Sequence, residues 1–131
     1  MKYLLDTDML VFVLRGHSEV SRRFAAANRQ ELVSSTVCIG ELLYGAAKSD
    51  NPSRYLPPVH RLVGYLTILP LTVREAQVFG QVKAELERRG QRLDDADLWI
   101  AATALAHDLT LVSHNQRHFS RIEKLLLEDW I

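Results

Sequence analysis

The stretch Leu93–Phe119, LDDADLWIAATALAHDLTLVSHNQRHF, constrains the fold more than any other part of the chain. Three carboxylates, Asp94, Asp95 and Asp97, open it. A helical apolar pattern follows at once: Leu98, Ile100, Ala101, Ala104 and Leu105. A short apolar run, Leu109–Val112, then ends in the polar cluster Ser113, His114 and Asn115. Helical period passing into a short apolar run spells helix, turn, strand, with acid chemistry at the helix start. One Asp at a helix N-terminus is ordinary, because it caps free N–H groups and meets the positive end of the dipole. Three so close together repel one another, and either water screens them or a cation does.

The rest of the chain repeats this alternation. Lys2–Leu5 reads as a buried strand. Asp6 or Thr7 then caps a helix that Gly16 stops, although the β-branched and aromatic residues of 9–14 weaken it. Ser18 caps a second helix over Glu19–Asn28, and Glu31–Ser34 is a second strand. Ser35 or Thr36 caps a third helix, Val37–Lys48. Arg54–Tyr65 is interrupted by Pro57-Pro58, so it is either two short pieces or one kinked helix. Leu66–Leu69 is a strand closed by Pro70, and Thr72 caps a long helix, Val73–Arg89, ended by Gly90. A last short strand falls at Leu125–Leu127. Short apolar strands alternating with helices predict an α/β fold with a mainly parallel sheet. With 131 residues the chain fits one domain, 1–131, with a real core.

In such a sheet, ligands bind beyond the carboxyl ends of the strands. Asp6 and Asp8 follow one strand end, and Asn115 follows another. Asp97 lies in the first turn of its helix, and Glu41 near the start of the third helix. Glu41 has Val37, Cys38, Tyr44 and Gly45 as its helical neighbours. That puts it on or beside the apolar stripe, where a carboxylate is costly unless paired, hydrogen-bonded or bound to metal. These residues can converge on one rim of the sheet, and several acids meeting there would need a divalent metal. The candidate ligands are all oxygens, which suits Mg²⁺ or Mn²⁺ rather than zinc or copper. Each acid alone also has a plain structural reading. Asp6, Asp94 and Asp95 read equally as caps, Asp8 as first-turn decoration, Asp97 as the partner of a capping box with Asp94, and Asn115 as a turn residue. Glu41 reads also as a snorkelling or ion-paired side chain.

Composition removes several classes. Basic and acidic residues balance at 16 each, so no global field draws nucleic acid, and RNA must use local patches. Cys38 is alone, which excludes an internal disulfide and a cysteine zinc site, and suggests a buried thiol in a reducing cytoplasm. No stretch approaches about 20 apolar residues, and the N-terminus carries no signal-peptide pattern, so no membrane partner is expected. His114 and His118 stand four apart, but a solvated or RNA-facing pair fits them better than a zinc site. Arg22, Arg23, Arg88, Arg89, Arg92, Arg117 and Arg121 are candidates for phosphate contact.

Four pieces, in order, carry a family resemblance: LLDTDML (4–10), GELLYGA (40–46), DDADLWIAATALAHDLTLVSHNQRHF (94–119) and LLLEDW (125–130). In these the chain resembles the PIN-domain toxins of the VapC type over essentially its whole length. The resemblance implies a three-layer α/β/α sandwich around a parallel sheet and a Mg²⁺- or Mn²⁺-dependent endoribonuclease. It implies a catalytic site of Asp6, Glu41, Asp97 and Asn115, the three acids binding the metal. Asn115, being neutral, would hold a ligand water or the scissile phosphate. A cognate antitoxin, an RNA substrate and a homodimer are also implied, with Met9–Leu14 either a contact surface or part of the core. A housekeeping RNA-processing nuclease without antitoxin keeps the same fold. A DxD after an apolar strand also opens haloacid-dehalogenase-like phosphatases, but the GDxxxD they need is absent. An acid-rimmed, non-enzymatic binding module is the remaining alternative.

Overall fold

The computed structural model describes residues 1–131. Its strands are β1 (Tyr3–Leu5), β2 (Leu32–Ser35), β3 (Thr67–Leu69), β4 (Thr110–Val112) and β5 (Leu127–Glu128). They form one sheet in the order β3-β2-β1-β4-β5, and every pairing is parallel. Leu4, Leu5, Leu32, Val33, Leu111 and Val112 are fully buried. Strands covered on both faces read as continuous apolar runs, as the central strands β1 and β4 do, while the edge strands β3 and β5 are less buried. The chain leaves β1 toward β2 and β3, then crosses back to β4 on the other side of β1. The sheet therefore has its topological switch point between the carboxyl ends of β1 and β4.

The helices are α1 (Thr7–Leu14), α2 (Ser18–Ala26), α3 (Thr36–Ala47), α4 (Pro52–Tyr65), α5 (Val73–Arg88), α6 (Asp95–Ala106) and the single turn α7 (Gln116–Phe119). They flank the sheet as an α/β/α sandwich, with α1 against α2 and α3, α3 against α4 and α6, and α5 against α6. Leu98, Ile100, Ala101, Ala102, Thr103 and Ala104 of α6 are all buried. A helix apolar around most of its circumference lies inside the molecule, so α6 is a buried central helix. No helix is long and apolar enough to cross a membrane.

Helix ends follow local chemistry. Gly16 and Gly90, at φ +73° and +69°, terminate α1 and α5, and Asp108 does the same for α6 at φ 54°. In each case two backbone N–H groups fold back on the last turn: His17 on Phe12 and Gly16 on Val13, Gln91 on Leu86 and Gly90 on Glu87, Leu109 on Ala104 and Asp108 on Leu105. Ser35 caps α3, and Thr72 with Glu75 forms a capping box on α5. His17, not Ser18, caps α2, its Nδ1 accepting from the Val20 N–H.

Two open questions of the sequence resolve here. Helix α4 runs unbroken through Pro57 and Pro58. Proline there removes two backbone donors, and burial of Val59 and Leu62 on the core offsets the loss. In α1, Met9 and Leu10 are buried, and Val11, Phe12, Val13 and Leu14 pack half-buried against the core. Tertiary packing overrides their weak helix propensity.

Candidate active site

Asp6 ends β1 and caps α1, so its carboxylate stands at the switch point. It is buried, at 6% exposure. Its Oδ1 accepts the Thr7 N–H at 2.8 Å, and its Oδ2 accepts the Ser113 hydroxyl at 2.8 Å. Ser113 is the first residue past β4 and is fully buried. Its Oγ also accepts the Asn115 N–H at 3.0 Å, tying Asn115 to the acid. Asp8 Oδ1 accepts from the Met9 N–H at 2.7 Å, and Oδ2 from the His114 N–H at 2.9 Å.

Glu41 reaches the same place from α3. The Thr7 hydroxyl donates to its Oε1 at 2.6 Å. Ligand atoms of Asp6, Cys38 and Glu41 all lie within 4.8 Å of one another. Glu41 is exposed, which corrects the expectation of a carboxylate on an apolar stripe. The adjacent Gly40 and Tyr44 are exposed too, so the helix turns this edge toward the rim and its solvent. Asp97, at the third position of α6, is half-buried. The expected capping box between Asp94 and Asp97 does not form; Asp94 is the N-cap residue without a side-chain bond, and Asp97 feels the charges of Asp94, Glu41 and Asp8.

Charge repulsion among these groups is explicit. Burial, and then the Asp8 charge, push the Asp6 carboxyl from its ordinary 3.8 to about 7; Asp97 adds to the rise, and the Ser113 and Thr7 bonds oppose it. Burial raises Asp8, against the bonds from His114 and Met9. Burial raises Asp97, followed by the charges of Asp94 and Glu41, with Asp8 also contributing. Asp97 is thus near enough to Asp6, Asp8 and Glu41 to feel each of them. A divalent cation would remove the repulsion, and carboxylate oxygens suit a hard ion. Burial and the Asp6 charge push the Cys38 thiol up to about 11.

Other candidates lie elsewhere. Asp95 is drawn away by Lys83 at 2.9 Å. His114 precedes α7 and binds Asp129 through Nδ1 at 2.8 Å, so it shares no helix face with His118. Arg22 pairs with Glu19, and Arg23 with Glu128 and the Trp130 ring. Arg92, Arg121 and His118 instead line a groove beside Asp97. Sequence reasoning missed the roles of Thr7 and Ser113 as orienting hydroxyls. The available signal was position: each adjoins a residue at a strand's carboxyl end.

The sheet order is one that several doubly wound α/β families share, and it is the PIN domain family model that matches this chain, over residues 3–125. The chain belongs to the PIN-domain family, among the proteins of the VapC type. It is 36% identical over 132 residues to "Ribonuclease VapC2" of Haemophilus influenzae, covering 100% of this chain and 99% of that one. It is 33% identical over 130 residues to "tRNA(fMet)-specific endonuclease VapC" of Shigella flexneri, covering 99% and 98%. Among solved structures it matches the DNA-bound VapBC of Salmonella typhimurium with TM-score 0.94 and 33% identity, over 100% of this chain and 99% of that chain. These matches displace the phosphatase alternative.

Proposed function

We propose that this chain is a divalent-metal-dependent endoribonuclease and the toxin of a toxin–antitoxin pair. The observation that carries the reading is the meeting of Asp6 and Glu41 within 4.8 Å at the switch point; Asp97 stands outside that group, near enough for its charge to bear on Asp6 and for the Glu41 charge to bear on it. Full-length similarity to VapC ribonucleases supports it. Asp6, Glu41 and Asp97 would hold Mg²⁺ or Mn²⁺. In that position the metal would supply a water of lowered pKa and offset charge developing on the phosphate.

The chain's own groups hold that arrangement in place. Ser113 fixes the outer oxygen of Asp6, and Thr7 fixes Glu41, so neither carboxylate must be ordered when substrate arrives. Asn115, neutral and tethered through its N–H to Ser113, presents an amide for a phosphate oxygen or a water. Asp8 is held by two backbone donors and supplies negative charge from behind. Complexes with an antitoxin follow from the VapBC structures to which the fold is similar, and a cytoplasmic location belongs to the same reading.

The test is end-mapping of cellular RNA after brief induction, wild type against Asp97→Asn, beside cleavage by purified protein. New 5′-phosphate ends with wild type only, dependent on Mg²⁺ or Mn²⁺ and abolished by EDTA, are expected. Equal cleavage by Asp97→Asn, or chelator-resistant cleavage, refutes the reading. A small reading frame beside the gene, whose product neutralises the toxicity, separates a toxin from a housekeeping nuclease.

A further inference from the structure

The acids at the rim would repel an RNA strand, and a chain of zero net charge has no long-range field to overcome that. Three depressions meet at one residue, Arg92. The first, shared with His118 and Arg121, opens onto Asp97. The second runs on toward Lys83 and Gln91 and carries the acids Glu87, Asp94 and Asp95 on its wall, and the third lies over Gly90 beside Glu87. We propose that the Arg92 loop, with Arg121, is the subsite that grips a backbone phosphate of single-stranded RNA flanking the scissile bond. This deepens the nuclease reading and rests on it.

The loop is held in shape before any ligand arrives. Gly90 turns the chain out of α5 at φ +69°, and the Gln91 N–H returns to the Leu86 carbonyl at 2.8 Å. The Arg121 guanidinium donates to the Arg92 carbonyl, and Arg89 donates to the Arg121 carbonyl at 2.9 Å. A pinned loop loses little entropy on binding. Its positive charge is also available. Lys83 is neutralised by Asp95 and Arg89 stands 3.9 Å from Glu123, whereas Arg92 is exposed and enters no ion pair. Arg121 uses one nitrogen on the loop and keeps the others, and His118 adds a donor beside Asp97. Asp94 also lines this groove, so the phosphate must sit on the Arg92–Arg121 side, away from the carboxylates. Arginine suits that task because its planar fork binds phosphate through two bonds.

The experiment measures binding of a labelled single-stranded RNA oligonucleotide over a range of salt, in an Asp97→Asn background that does not cleave. Arg92→Ala is expected to lower the slope of log K against log salt by about 0.7, the share of one phosphate contact. It should also weaken binding about tenfold. Arg92→Lys restores the slope, and Arg22→Ala, whose charge already pairs with Glu19, leaves it unchanged. In the cleaving protein, Arg92→Ala raises KM about tenfold with kcat unchanged. An unchanged slope and affinity in Arg92→Ala overturn the proposal. So does a fall in kcat with the slope intact, which assigns the loop a structural role. Wild-type protein that binds with the full slope yet cleaves nothing refutes the nuclease reading instead.

Discussion

Asp6 is the residue on which the site's electrostatics turn. Its folded carboxyl keeps a proton up to about pH 7, whereas the unfolded chain releases it near 3.8. The native state therefore binds more protons across that window, and metal-free stability falls as pH rises through it. Above pH 7 the ionised group strains the fold, and a cation binding only the folded state relieves the strain. At pH 8, metal-free Asp6→Asn is expected to melt higher than metal-free wild type by about 5 °C. It should also lose most of the stabilisation that Mg²⁺ or Mn²⁺ gives wild type. Differential scanning fluorimetry with and without the ion checks both parts; equal responses to metal would remove Asp6 from the ligand set.

Between elements, a buried polar link joins α5 to α6. Glu75, in the first turn of α5, is 1% exposed and accepts from Thr72. Its Oε1 meets His107 Nε2, at the end of α6, at 2.6 Å. Burial opposes the charge, but bonds from Thr72 and His107 overcome it and bring the carboxyl from 4.5 to about 2. The stabilisation is complete above pH 4.5 and is lost as pH falls toward 2, because the unfolded state then binds the extra proton. Glu75→Gln should cost about 2 kcal/mol at pH 7 by urea unfolding. The gap between mutant and wild type should close by about pH 2–3; a gap constant with pH would mean packing, not charge, holds the two helices. The sequence marked Thr72 as a cap, but neither Glu75 as its partner nor His107, which reads as a surface histidine 32 residues from Glu75.

At the scale of the whole molecule, the last residues close the structure. Trp130 is 2% exposed, stands edge-on to Tyr3 at 5.3 Å between centroids, and lies under the Arg23 guanidinium. It fastens β5 and the chain end to the first strand and to α2. Asp129 beside it binds His114, whose N–H holds Asp8, so the same segment borders the site. Trp130→Ala should lower stability by about 3–5 kcal/mol, seen as a lower denaturant midpoint with an unchanged m-value. A loss under 1 kcal/mol would show that β5 docks without it.

Sequence alone determined what depends on neighbours along the chain. Short apolar runs and helical periodicity gave the alternating strands and longer helices within a residue or two, because burial selects apolar side chains wherever a segment meets the core. Gly16, Gly90 and Ser35 marked helix ends because positive φ and capping are local matters. The family resemblance also singled out Asp6, Glu41 and Asp97; Asp6 follows a strand and Asp97 lies in a first helical turn, whereas Glu41 lies in the second turn of α3. Only the tertiary structure decided what depends on direction and distance. It turned Glu41 to the rim, kept α4 whole through two prolines, and drew Asp95 to Lys83. It also aimed Ser113 at Asp6 across 107 positions of sequence. Such contacts arise where the parallel sheet reverses its strand order, and no local pattern records which carboxyl ends that reversal sets side by side.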